Sequence, residues 1–137
     1  MAKKTISLEY QGQLSCHLVH EQSGTDWTTD APVDNQGLGR SFSPTDALAA
    51  SLGSCYMTIM GIAAQKHKID IEGASMTIGK YMRNDPRRVH KVRIRLTMPD
   101  KNYSEKQKAI LINAGRSCPV SRSLHPEMII DFQITWH

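Results

Sequence analysis

The stretch Ser43-Pro44-Thr45-Asp46-Ala47-Leu48-Ala49-Ala50-Ser51-Leu52-Gly53-Ser54-Cys55 decides how the rest of the chain must be arranged. It opens with a capping serine, a proline at the first helical position and an acid three residues after the cap, which together start a helix. From Ala47 to Ala64 no residue carries a formal charge, and Lys66, His67 and Lys68 then place cations where the helix dipole favours them. About 18 uncharged residues can cross a membrane, but Ser51, Gly53, Ser54, Thr58 and Gly61 dilute the run and no second span partners it. The reading is a central helix of a soluble core, apolar on every side.

The other elements arrange themselves around that helix. Upstream, Ile6, Leu8 and Tyr10 alternate with polar residues, and Leu14, Cys16 and Leu18 repeat the period of two that marks strands. Residues 22–42 are rich in Gly, Asp, Asn, Thr and Pro, so Gly37-Leu38-Gly39-Arg40 reads as a mobile or functional loop. Downstream, Ala74, Met76 and Ile78 form one strand, while Val92, Ile94, Leu96 and Met98 alternate strictly with Lys91, Arg93, Arg95 and Thr97 to form another. Asn84-Asp85-Pro86 is the turn of an antiparallel hairpin between them. Ser104 and Gln107 make a capping box for a helix over 105–114; a short helical turn follows Cys118-Pro119, and a last strand carries Met128, Ile130, Phe132, Ile134 and Trp136. Strands, a buried helix, a hairpin, two helices and a strand make an α+β fold, and 137 residues make one domain over 1–137.

Composition narrows the function. The net charge is +4, but the basic residues are scattered and the aromatic residues few, which argues against nucleic acid. The N-terminus enters a strand pattern without an apolar leader, so a soluble, cytoplasmic chain is expected, without a membrane role. In a reducing compartment three cysteines are catalytic, metal-binding or buried rather than a disulfide framework. Cys16 shares a strand face with Leu14 and Leu18 and reads as a small core residue. Cys118 precedes a helix-starting proline, a position expected to lower a thiol's pKa, with Arg116 and Arg122 near in sequence. Cys55 lies in uncharged surroundings that disfavour a thiolate, so it is reactive only if a cation reaches it from elsewhere in the fold or from a second subunit. Zinc held by Cys55, Cys118 and His125 or His67 is a weaker reading, because the short paired spacing of zinc ligands is missing.

The 43–55 stretch resembles the helix signature of the OsmC/Ohr family, with Pro44 eleven positions ahead of Cys55, and Cys118-Pro119-Val120-Ser121 resembles its second signature. The resemblance implies antiparallel sheets wrapped around a long buried central helix in an intertwined homodimer, with a cysteine pair in each of two sites. It implies a peroxidase that reduces organic hydroperoxides in defence against oxidative stress. Cys55 would attack the peroxide and become a sulfenic acid, Cys118 would close a disulfide with it, and an external dithiol of lipoyl type would restore both without a bound cofactor. Two features depart from the pattern. Thr45 stands where the best-characterised members carry an activating glutamate, and no arginine lies around Gln11 to Leu14. Arg40 and Asp46 are the candidate replacements for that activating pair. The alternative is a family member that keeps the fold and thiols but binds a small apolar or electrophilic ligand at the dimer interface.

Overall fold

The computed structural model describes residues 3–137, which gather into two compact units, 3–47 and 48–137. In the first, β1 (Ile6–Gly12), β2 (Ser15–His20) and β3 (Asp26–Asp30) form an antiparallel sheet in that order. Gln13 and Leu14 both take left-handed φ, at 54° and 61°, as a two-residue hairpin requires. Strand β3 falls inside the segment expected to be loop: Asp-Trp-Thr-Thr-Asp has little hydrophobic alternation, and its pairing with β2 makes the strand. The rest of that segment is tied down rather than loose. Val33–Asn35 make a 3-10 turn, Gly37 and Gly39 donate to the Pro32 and Ala31 carbonyls at 2.9 and 3.1 Å, and Asp30 donates to Phe42 at 2.9 Å.

Helix α1 (Pro44–Lys66) starts where the sequence places it and links the two units in the chain. Ser43 and Asp46 close a reciprocal cap: the Ser43 amide donates to Asp46 Oδ2 and the Asp46 amide to Ser43 Oγ, each at 3.0 Å. The helix buries Ala49, Leu52, Met60 and Ala64, leaves Ile62 at 59% exposure, and by length and hydropathy matches a membrane span. Within this chain it is therefore covered along one side rather than all round.

The second unit holds β4 (Ser75–Arg83), β5 (Arg88–Thr97), α2 (Glu105–Gly115), α3 (Pro119–Arg122) and β6 (Ile129–Thr135). The predicted hairpin is present, β4 pairing antiparallel with β5, but β6 returns through α2 and α3 to lie parallel to β5, so this sheet is mixed where antiparallel pairing was expected. The alternation in β5 sends Val92, Ile94 and Leu96 inward at 0%, 0% and 1% exposure. The α2 capping box forms as expected, Gln107 N donating to Ser104 Oγ at 3.1 Å and Ser104 N to Gln107 Oε1 at 2.9 Å. Two apolar clusters fill this unit, one around Leu52, Val92 and Ile94 and the other around Met60, Leu96, Met98 and Leu111. Gly53 permits the first, since a side chain there would collide with Ile78 and Met76.

Candidate active site

Cys55 and Cys118 meet in the second unit. Cys55 sits on α1, partly buried against the cluster formed by Leu52, Val92 and Ile94. Cys118 is fully buried in the same cluster, delivered by the turn that joins α2 to α3. Pro119 fixes the first helical position of α3, so Cys118 becomes its cap, with Sγ accepting from the Ser121 amide at 3.5 Å. Ser121 Oγ donates back to the Cys118 carbonyl at 2.9 Å, which locks the backbone under the thiol. Both cysteines are free thiols.

The proton balance differs from the sequence expectation. Burial pushes the Cys118 thiol above its ordinary value, and its hydrogen bond with Cys55 pushes it further; the Ser121 and Val120 amides pull the other way and lose. The helix terminus that was expected to acidify Cys118 is a single turn, too short to offset desolvation of a fully buried sulfur. Ionisation of Cys118 is thus disfavoured where it lies.

Tyr56, which sequence reasoning passed over because tyrosine in an apolar helix looks like core, packs against the same cluster. Its ring stacks on Phe132 with centroids 4.9 Å apart and an interplanar angle of 25°. Its other contact is the end of α2, where a Cβ on Gly115 would stand 2.6 Å from Tyr56 Cε1 and 2.7 Å from Cδ1. The phenol is raised above its ordinary value by burial first and second by the negative charge Cys118 carries once it ionises, while Arg116 opposes. Arg116 is therefore close enough to be felt by the Tyr56 ring.

Arg40 and Asp46 belong to the first unit. The Arg40 fork grips Asp30, with Nε to Oδ2 at 2.9 Å, Nη2 to Oδ1 at 3.1 Å and the Arg40 amide to Oδ2 at 2.8 Å. The arginine's carboxylate partner is thus Asp30, where Asp46 was expected, and Asp46 takes part in the helix cap described above. These bonds hold the Asp30 carboxyl below the usual range despite its burial. No sequence signal pointed to Asp30, because its burial depends on the fold of β3. Cys16 is half-buried, paired across the sheet with Tyr10 and Thr29. His67 is exposed, His125 Nδ1 accepts from the Glu127 amide at 3.1 Å, and among the described residues no three His, Cys, Asp or Glu cluster as metal ligands.

Residues 37–133 match the family model described as OsmC-like protein. The whole chain superposes on a crystal structure from Psychrobacter arcticus, described as a candidate osmotic stress induced and detoxification response protein. Identity is 43% and the TM-score 0.90, covering 100% of this chain and 98% of that one. An OsmC like protein from Mycoplasma pneumoniae superposes at 19% identity and TM-score 0.78, covering 99% of each chain. An organic hydroperoxide resistance protein OsmC from Legionella pneumophila does so at 18% and 0.70, covering 99% of this chain and 98% of that one. These two likenesses show the fold alone. Nothing among curated proteins matches significantly.

Proposed function

The chain belongs to the OsmC-like family, and from that premise we propose that it is a thiol-dependent hydroperoxide reductase with Cys55 as the attacking and Cys118 as the resolving sulfur. The observation that carries this reading is the pair itself: two free thiols in hydrogen-bond contact, one buried and proton-holding and the other only partly buried. The Cys55 thiolate attacks the distal oxygen of the hydroperoxide; the O–O bond breaks, and the alkoxide leaves as an alcohol after taking a proton. Cys118 sulfur then attacks the sulfenic sulfur; the S–S bond forms, the S–O bond breaks, and the Cys118 proton leaves with hydroxide as water. An external dithiol reduces the disulfide by two exchange steps. Cys55 packs against the apolar cluster of Leu52, Val92 and Ile94, and apolar surroundings suit an organic hydroperoxide better than a polar one. Fold relatives include proteins named organic hydroperoxide resistance proteins from Legionella pneumophila and Elizabethkingia anophelis.

The same reading includes a homodimer in the cytoplasm. Ile6, Leu8 and Tyr10 stand 59–61% exposed on β1, and Ile62 stands 59% exposed on α1. Apolar surface of that kind favours a second copy as cover. The test of the activity is steady-state consumption of cumene hydroperoxide with dihydrolipoamide as reductant. Wild type is expected to turn over, and Cys55→Ser to fall by about a hundredfold or more. Equal consumption by both proteins would remove Cys55 from the chemistry and favour the ligand-binding alternative.

A further inference from the structure

From the packing around the thiol pair we infer that Tyr56 is a positioning residue that sets the approach of Cys118 to oxidised Cys55, so that its ring governs how fast the disulfide closes. The inference rests on the peroxidase reading for its biological setting, but its geometry concerns only the two sulfurs and the chain between α2 and α3. Tyr56 follows Cys55 directly on α1, so both side chains spring from the same turn of helix. The far edge of the Tyr56 ring bears on Gly115, the last residue of α2, in a contact so close that a Cβ would overlap both Cε1 and Cδ1. Phe132 on β6 backs the ring from the other side. Only Arg116 and Ser117 separate Gly115 from Cys118. The ring is therefore a strut between the element that carries one sulfur and the hinge that delivers the other.

A disulfide needs Cβ atoms about 3.8 Å apart and a narrow range of dihedral angles, so a shift of about 1 Å in the hinge moves Cys118 out of bonding reach. Without the strut, Cys118 stays buried on average but loses the stop that fixes the height of the 116–118 turn. The Cys55 sulfenate then waits. A waiting sulfenate reacts with a second hydroperoxide: its sulfur attacks the distal oxygen, the O–O bond breaks, and sulfinate and alcohol result.

The test is single-turnover oxidation of reduced protein in a Cys16→Ser background, followed by quenched mass spectrometry, with dimedone trapping the sulfenate. Tyr56→Ala and Gly115→Ala are expected to slow disulfide closure by about tenfold or more while changing sulfenate formation by less than about threefold, and sulfinate should accumulate. Tyr56→Phe keeps the ring and should keep the wild-type partition, while a merely destabilised core would slow both steps in Tyr56→Ala rather than closure alone. Should Tyr56→Ala fail to fold, Tyr56→Leu and Gly115→Ala carry the comparison. A parallel arm closes the disulfide with diamide, without peroxide. Slower closure in the variants in that arm supports the strut even if wild type ignores hydroperoxides, which would sink the peroxidase reading alone. Wild-type closure rates in Tyr56→Ala, or equal losses in both steps, would overturn the inference.

Discussion

Between Ser15 and Ser43 the buried side chains are Ser15, Thr29, Asp30 and Ser43, all polar, whereas from Ala49 to Cys118 they are all apolar or thiol. The first stretch holds its shape with directed bonds: the Arg40 fork on Asp30, Ser15 Oγ to the Thr29 carbonyl at 3.1 Å, and the Ser43–Asp46 cap. The second holds its shape by packing two apolar clusters. The difference extends to proton chemistry. Asp30 is buried with a cation and stays ionised; Cys118 is buried among Leu52, Val92 and Ile94 and keeps its proton. Partners, more than burial itself, decide the charge state of a buried group. Large apolar residues of the first unit, meanwhile, remain outside, with Ile6, Leu8, Tyr10 and Trp27 at 43–61% exposure.

The contrast breaks most readily at Leu52, which is fully buried under the thiols. Leu52→Ala should cost about 2–5 kcal/mol in urea unfolding, while Leu8→Ala should cost less than about 0.5 kcal/mol in dilute protein. Equal costs would mean the two stretches are not built differently. Next comes the exposed apolar set. If a second copy covers it, wild type sediments at twice the 15.3 kDa chain mass, and Leu8→Lys weakens that association by about tenfold or more. A monomer at micromolar concentration would show that β1 needs no cover.

Ser104→Ala tests whether directed bonds also matter within the packed stretch. Loss of the α2 cap should cost about 1 kcal/mol, well below the Leu52 effect. The smallest change near neutral pH belongs to Asp30. Arg40 holds its folded carboxyl below the unfolded value of 3.8, so the pair's stabilisation is complete above that pH and is lost as pH falls through the lowered folded value. Arg40→Met should move proton uptake at Asp30 to higher pH, visible in its carboxyl chemical shift; an unmoved titration would mean that the fork does not set the charge.

Much of the frame was legible because local signals agreed with tertiary demands. Ser43-Pro44 with Asp46 announced α1, the Val92–Met98 alternation announced β5, and Ser104 with Gln107 announced α2. Strand β3 was not legible, since its polar residues show their burial only once β2 lies beside them. The parallel return of β6 was hidden for a similar reason, because a crossover through two helices leaves no local mark on the strand. At the site, the two cysteines were readable from their neighbouring residues. The raised Cys118 thiol was not, because it turns on the burial of that residue, and neither was the Tyr56–Gly115 contact, which joins residues far apart in the chain. Arg40 stood out by its loop, but its partner Asp30 lay in the strand that the sequence concealed.

Whether Cys55 and Cys118 act as one redox pair is tested by intact-mass analysis after mixing reduced protein with one equivalent of cumene hydroperoxide. A loss of two mass units within the mixing experiment is expected, mapped by peptide analysis to a Cys55–Cys118 link, together with a trapped sulfenate on Cys55 when Cys118 is alanine. Two thiols surviving, or a link formed through Cys16 instead, would contradict it.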